Sequence, residues 1–78
     1  MKTECTKTEH KYLQVVGQNI RSARLNLGLS QEKFAKVCKL DRTYISDVER
    51  GERNLSLLTL RKFSKALKIS VSELVNVS

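Results

Sequence analysis

Between residues 41 and 54 the chain reads DRTYISDVERGERN, and most of its side chains are hydrogen-bonding groups. Arg42, Thr43, Tyr44 and Ser46 come first, and Arg50, Arg53 and Asn54 follow closely. Arginine can bond guanine O6 and N7 bidentately, and short hydroxyls reach either kind of base edge. Further arginines and amides bond phosphate oxygens and set the register on a duplex. The chemistry this segment suits is therefore the reading of a nucleic-acid surface. Asp47 stands among these cations. It can accept from cytosine N4, repel phosphates in wrong registers, or simply face solvent.

Other constellations are weaker. His10 stands near Glu4, Cys5 and Glu9, but two soft ligands in a polar tail make a poor metal site, and none is expected. No nucleophile, base and orienting group are arranged together, and there is no glycine-rich phosphate loop. An enzyme is not expected, nor is a cofactor or a small-molecule ligand. Cys38 takes a small-residue core position, as a buried free thiol.

The elements that must hold the polar segment can be read from spacing. Residues 1–9 are polar and read as a flexible tail, leaving one domain over 10–78. Leu13, Val16, Ile20, Ala23 and Leu27 recur at intervals of 3, 4, 3 and 4, one face of an α-helix over 10–27. Gly28 supplies its stop. Ser30 caps a second helix with Phe34, Ala35 and Cys38 on one face. Asp41 caps a third, with Ile45 and Val48 pointing inward and Gly51 closing it. Ser56 caps a fourth, whose stripe is Leu57, Leu60, Phe63, Ala66 and Leu67. Ser70 and Glu73 spell a capping box that opens a last short helix with Leu74, Val75 and Val77. The fold class is all-α with five helices, two of them short and joined by a tight turn, the outline of a helix-turn-helix.

Composition agrees. The 78 residues contain 15 Lys and Arg against 8 Asp and Glu, a net charge of +7, with no proline or tryptophan. An excess of positive charge around the helix pair suits phosphates. The few aromatics, 5% of residues, argue against a stacking platform for single strands. No apolar run approaches the ~18 residues that span a bilayer. The N-terminus does not read as a secretory signal, so a bacterial cytoplasmic, nucleoid-associated protein is expected. A lone domain this small is marginal. An apolar patch of Leu58, Leu74, Val75 and Val77 is the expected interface of a homodimer.

Over about residues 13–76 the chain resembles the small lambdoid-repressor-like, XRE-type helix-turn-helix family, most clearly from Leu27 to Leu74. Within it, DRTYISDVERGERNLS is similar to the controller proteins of restriction–modification systems. The resemblance implies a five-helix DNA-binding domain with its recognition helix in the major groove. It implies that Gln31 contacts a phosphate or base from the start of helix 2. Arg42 and Thr43 would reach into the groove, and Tyr44 and Ser46 would touch backbone or base edges. Arg53, Asn54 and Thr59 would contact phosphates near helix 4. It pairs Arg24 with Glu49, tying helix 1 to the end of the recognition helix, and it gives the C-terminal helices a dimer face. The expected partner is a pseudo-palindromic double-stranded operator bound by one dimer or two, with no membrane involved. Lys39 and Lys68 depart from the family, which commonly has glycine at both positions.

Three functions separate on these readings. The first is an autoregulating controller of a restriction–modification operon. The second keeps the fold but serves a phage or mobile-element repressor or an antitoxin. The third is a protein-binding adaptor whose binding ignores DNA sequence.

Overall fold

The computed structural model describes residues 7–77, which form five helices: α1 Lys7–Asn26, α2 Gln31–Cys38, α3 Arg42–Glu49, α4 Leu57–Leu67 and α5 Val71–Leu74. Each boundary has a local cause. The Ser30, Ser56 and Ser70 side chains accept from the backbone N–H three residues on, at 3.0, 3.0 and 3.1 Å. This satisfies donors that a helix N-terminus leaves unpaired. At Ser70 the Glu73 carboxylate also accepts from the cap's own N–H, completing the capping box. Asp41 departs from its expected role. It sits at the cap of α3, but its carboxylate bonds no first-turn N–H. Its remaining contribution is negative charge at the positive end of the helix.

α1 starts at Lys7 rather than near residue 10, and it stops before Leu27. Residues 1–6 of the expected tail, Cys5 among them, lie outside the described residues. At the other end Gly28 takes φ 71° and Leu29 N–H reaches back to Arg24 O at 3.1 Å. That closure takes Leu27 off the apolar face and leaves it 41% exposed. Leu29 packs against the core instead.

Lys39 and Lys68 close α2 and α4 in the left-handed conformation, with φ 58° and 61°. The departure from glycine therefore leaves the turn geometry unchanged. It costs on the order of 1 kcal/mol per residue in backbone strain.

The core draws on every helix: Val16, Ile20 and Ala23 from α1, Phe34, Ala35 and Cys38 from α2, Ile45 and Val48 from α3, Phe63 and Leu67 from α4, and Leu74 from α5. The Phe34 and Phe63 rings meet at 5.1 Å, tilted by 49°. Burial raises the pKa of the Cys38 thiol, with nearby Lys62 opposing the shift. Cys38 is thus an inert packing group in its ordinary protonated state.

A close approach of α1 to the end of α3 sets the frame for the polar segment. A Cβ on Gly17 would lie 2.5 Å from Val48 O and 2.7 Å from Glu49 O, so only glycine fits there. Gly51, at φ 77°, meets Gln14 in the same way.

Candidate nucleic-acid interface

The helix pair is built around a short link. Lys39 reverses the chain after α2, and Leu40 N–H returns to Ala35 O at 2.9 Å. Ile45 and Val48 anchor the inner face of α3. The outer face must then carry the remainder. Arg42 and Thr43 are exposed on the first turn, while Ser46 and Asp47 are half-buried on the second. Tyr44 is half-buried and packs against the core, yet its ring also supports the Arg53 guanidinium, whose carbon lies 5.1 Å from the ring centre. Stacking of this kind favours arginine over lysine.

α3 is held at its far end by a buried ion pair. Arg24 Nε donates to Glu49 Oε2 at 2.7 Å, and Nη2 donates to Oε1 at 3.0 Å. Arg24 Nη1 also donates to Leu29 O at 2.7 Å. Gln31 Nε2 adds a donor to Glu49 Oε1 at 3.0 Å. The Glu49 carboxylate thus joins α1, the first residue of α2 and the last residue of α3, and Arg24 ties in the turn before α2. Among the described residues no buried side-chain nitrogen or oxygen lacks a partner. An ion pair this buried fixes geometry, because misalignment would leave a charge unpaired away from water.

Gln31 therefore has a structural contact that its expected role did not include. Its amide nitrogen gives one N–H to Glu49, which fixes the side chain at the start of α2 beside the backbone N–H.

Asp47 likewise faces its own helix. Its Oδ1 accepts from Arg50 Nη2 at 2.6 Å and its Oδ2 accepts from Arg53 Nε at 3.3 Å. Arg50 Nη1 donates to Ser46 Oγ at 2.7 Å, so both amino groups of Arg50 are folded back on α3. Sequence reasoning missed this arrangement, although the i, i+3 spacing of Asp47 and Arg50 was a usable signal. Asn54 is exposed in the loop before α4. Thr59 sits half-buried on the first turn of α4, where its Oγ1 accepts from Ser56 Oγ at 2.9 Å.

The residues named for a dimer face differ in exposure. Leu58 stands 78% exposed beside Leu57 at 73%, both at the start of α4. Val75 is 37% exposed, and Val77 is half-buried against the core. Leu74, by contrast, has no exposed surface and belongs to the core. The capping box turns α5 inward, and Asn19 Nδ2 holds the Leu74 and Asn76 carbonyls at 2.9 Å each. Leu74 is therefore corrected from an interface residue to a packing residue.

Among the described residues no helix is long and apolar enough to cross a membrane, and no three His, Cys, Asp or Glu side chains converge to hold a metal.

The description of the helix-turn-helix family matches residues 20–74. Control protein C.BamHI of Bacillus amyloliquefaciens is 51% identical over 61 residues, 77% of this chain and 75% of that protein. Control protein C.SmaI of Serratia marcescens is 47% identical over 80% of this chain and 74% of its own length. The crystal structure of the restriction–modification controller protein C.AhdI from Aeromonas hydrophila superposes with a TM-score of 0.75 at 44% identity. It covers 82% of this chain and 96% of that one.

Proposed function

Because the chain belongs to the helix-turn-helix family of the restriction–modification control proteins, which are DNA-binding regulators of transcription, we propose that it controls a restriction–modification operon that includes its own gene. The observation that carries the reading is the outward, unburied pair Arg42 and Thr43 on the first turn of α3, a helix whose far end is clamped by Arg24–Glu49. A rigid helix with base-reading side chains at its leading end is what entry into a major groove requires. The +7 charge supplies the phosphate term.

In this reading Arg42 and Thr43 read base edges, and Ser46 sits close enough to assist. The Gln31 backbone, Arg53, Asn54 and Thr59 hold phosphates. Two chains form a dimer through the exposed start of α4, around Leu58 and Leu57, with Val75 contributing. Their recognition helices enter successive major grooves about 34 Å apart, on a pseudo-palindromic operator. Protein concentration is the input. Occupancy of one dimer site would activate the operon, and a second, weaker adjacent site would shut it. The protein acts in the bacterial cytoplasm, at the nucleoid.

The test is footprinting on the DNA immediately upstream of the chain's own reading frame, at physiological salt with excess random competitor. Stepwise protection of two adjacent sites is expected. Absence of any protected site there would remove autoregulation, and selection from random DNA would then separate another operator from no specific binding at all.

A further inference from the structure

Two arginines beside the reading face are not available to DNA in the way their exposure suggests. Arg50 and Arg53 are about half exposed, at 56% and 48% of their side chains. Yet the two oxygens of Asp47 each hold one of them. For Arg50 both terminal amino groups are engaged, Nη2 on Asp47 and Nη1 on Ser46, which turns the guanidinium back along α3. Glu52 is a looser neighbour, 3.9 Å from Arg50. For Arg53 the hold is through Nε, which is on Asp47, while the guanidinium lies over Tyr44.

We propose that Asp47 is a specificity-determining positioning residue, which withholds Arg50 from the phosphate backbone and fixes Arg53 in a single orientation, so that random DNA is bound weakly relative to the operator. This rests on the DNA-binding reading above and extends it. Binding to random sequence is driven by phosphate contacts and counterion release. A mobile arginine finds a phosphate in any register, whereas one clamped against its own helix does not. At the operator the base contacts of Arg42 and Thr43 set the register, and Arg53 meets its phosphate in the orientation already held. Asp47 thereby penalises binding without register more than binding in register, which is how a repulsive element raises discrimination.

The experiment compares the full-length chain with Asp47→Asn, Asp47→Glu and Glu52→Gln, measuring affinity for the footprinted operator and for a random duplex across a salt series. Glu52→Gln removes the same charge from the same neighbourhood but leaves the Asp47 contacts intact. Asp47→Asn should tighten random-DNA binding about tenfold and operator binding about twofold or less, with the random-DNA salt slope steeper by about 0.9 per monomer for one freed arginine. Asp47→Glu should restore much of the discrimination. Glu52→Gln should move both affinities together and leave their ratio unchanged. Equal effects of Asp47→Asn and Glu52→Gln would reduce Asp47 to net charge and overturn the inference, as would an unchanged ratio in Asp47→Asn. A parent chain that prefers no sequence would instead overturn the DNA-reading function, and this inference with it.

Discussion

Arg42 and Arg24 show how differently two arginines of one chain are used. Arg42 stands exposed at the leading end of α3, with the reach to bond a guanine edge. Arg42→Ala should lower operator affinity by about 1–3 kcal/mol and relax discrimination at a single base position, read by binding to a panel of single-base operator variants. Uniform weakening across the panel would instead assign Arg42 to a phosphate. Arg24 is buried against Glu49. Arg24→Ala should destabilise the fold by about 3–5 kcal/mol in denaturant melts, because Glu49 would keep its charge without its cation. Replacing both partners together, Arg24→Met with Glu49→Leu, should recover much of that loss. Gln31 would then lose its acceptor and α2 its anchor to α3. Residue types alone pointed to the proposed reading set, since exposed donors cluster on and just after one short helix. They did not show that Asp47 holds two of those donors, because a carboxylate's partners depend on rotamers that only the packed helix selects.

At the scale of elements, the helices follow from apolar periodicity and serine caps, and the deviations have local causes. α1 ends one residue early because the left-handed Gly28 lets Leu29, not Leu27, return to the core. Lys39 and Lys68 hold left-handed caps that lack a glycine. Lys39→Gly and Lys68→Gly should each stabilise the chain by up to about 1 kcal/mol. The melting temperature should rise by several degrees in a domain this small, by roughly 4–8 °C per kcal/mol. A fall in melting temperature would mean that the lysine stems pack usefully enough to outweigh the strain. The role of Gly17 was hidden in the sequence, where it reads as an ordinary helix-weakening residue. Its need for a missing Cβ arises only when the Val48 and Glu49 carbonyls are brought against α1.

For the whole molecule, the proposed dimer draws on apolar surface that one chain leaves uncovered. The apolar residues left uncovered on one chain include Leu57 and Leu58, at 73% and 78% exposure. Leu58→Asp should leave the melting temperature nearly unchanged and shift sedimentation from dimer to monomer, with loss of the two-groove footprint. A dimer that persists would place the contact elsewhere. Leu74→Asp is expected to unfold the chain instead, since a charge would be forced into a site without solvent or partner.

What the sequence determined by itself is the set of local rules: helix spacing, caps, charge, and the run of donors that reads DNA in the proposed function. Those signals lie within a few residues of one another and survive without a fold. The tertiary structure decided the questions that depend on distant segments meeting. It placed Leu74 inside rather than on a face, because Asn19 and the capping box draw the C-terminal turn onto α1. It joined Arg24, Gln31 and Glu49 through one carboxylate. It also set Asp47 against Arg50 and Arg53 rather than toward a ligand. In each case an apolar or charged group had several possible partners along the chain, and the buried geometry left room for one.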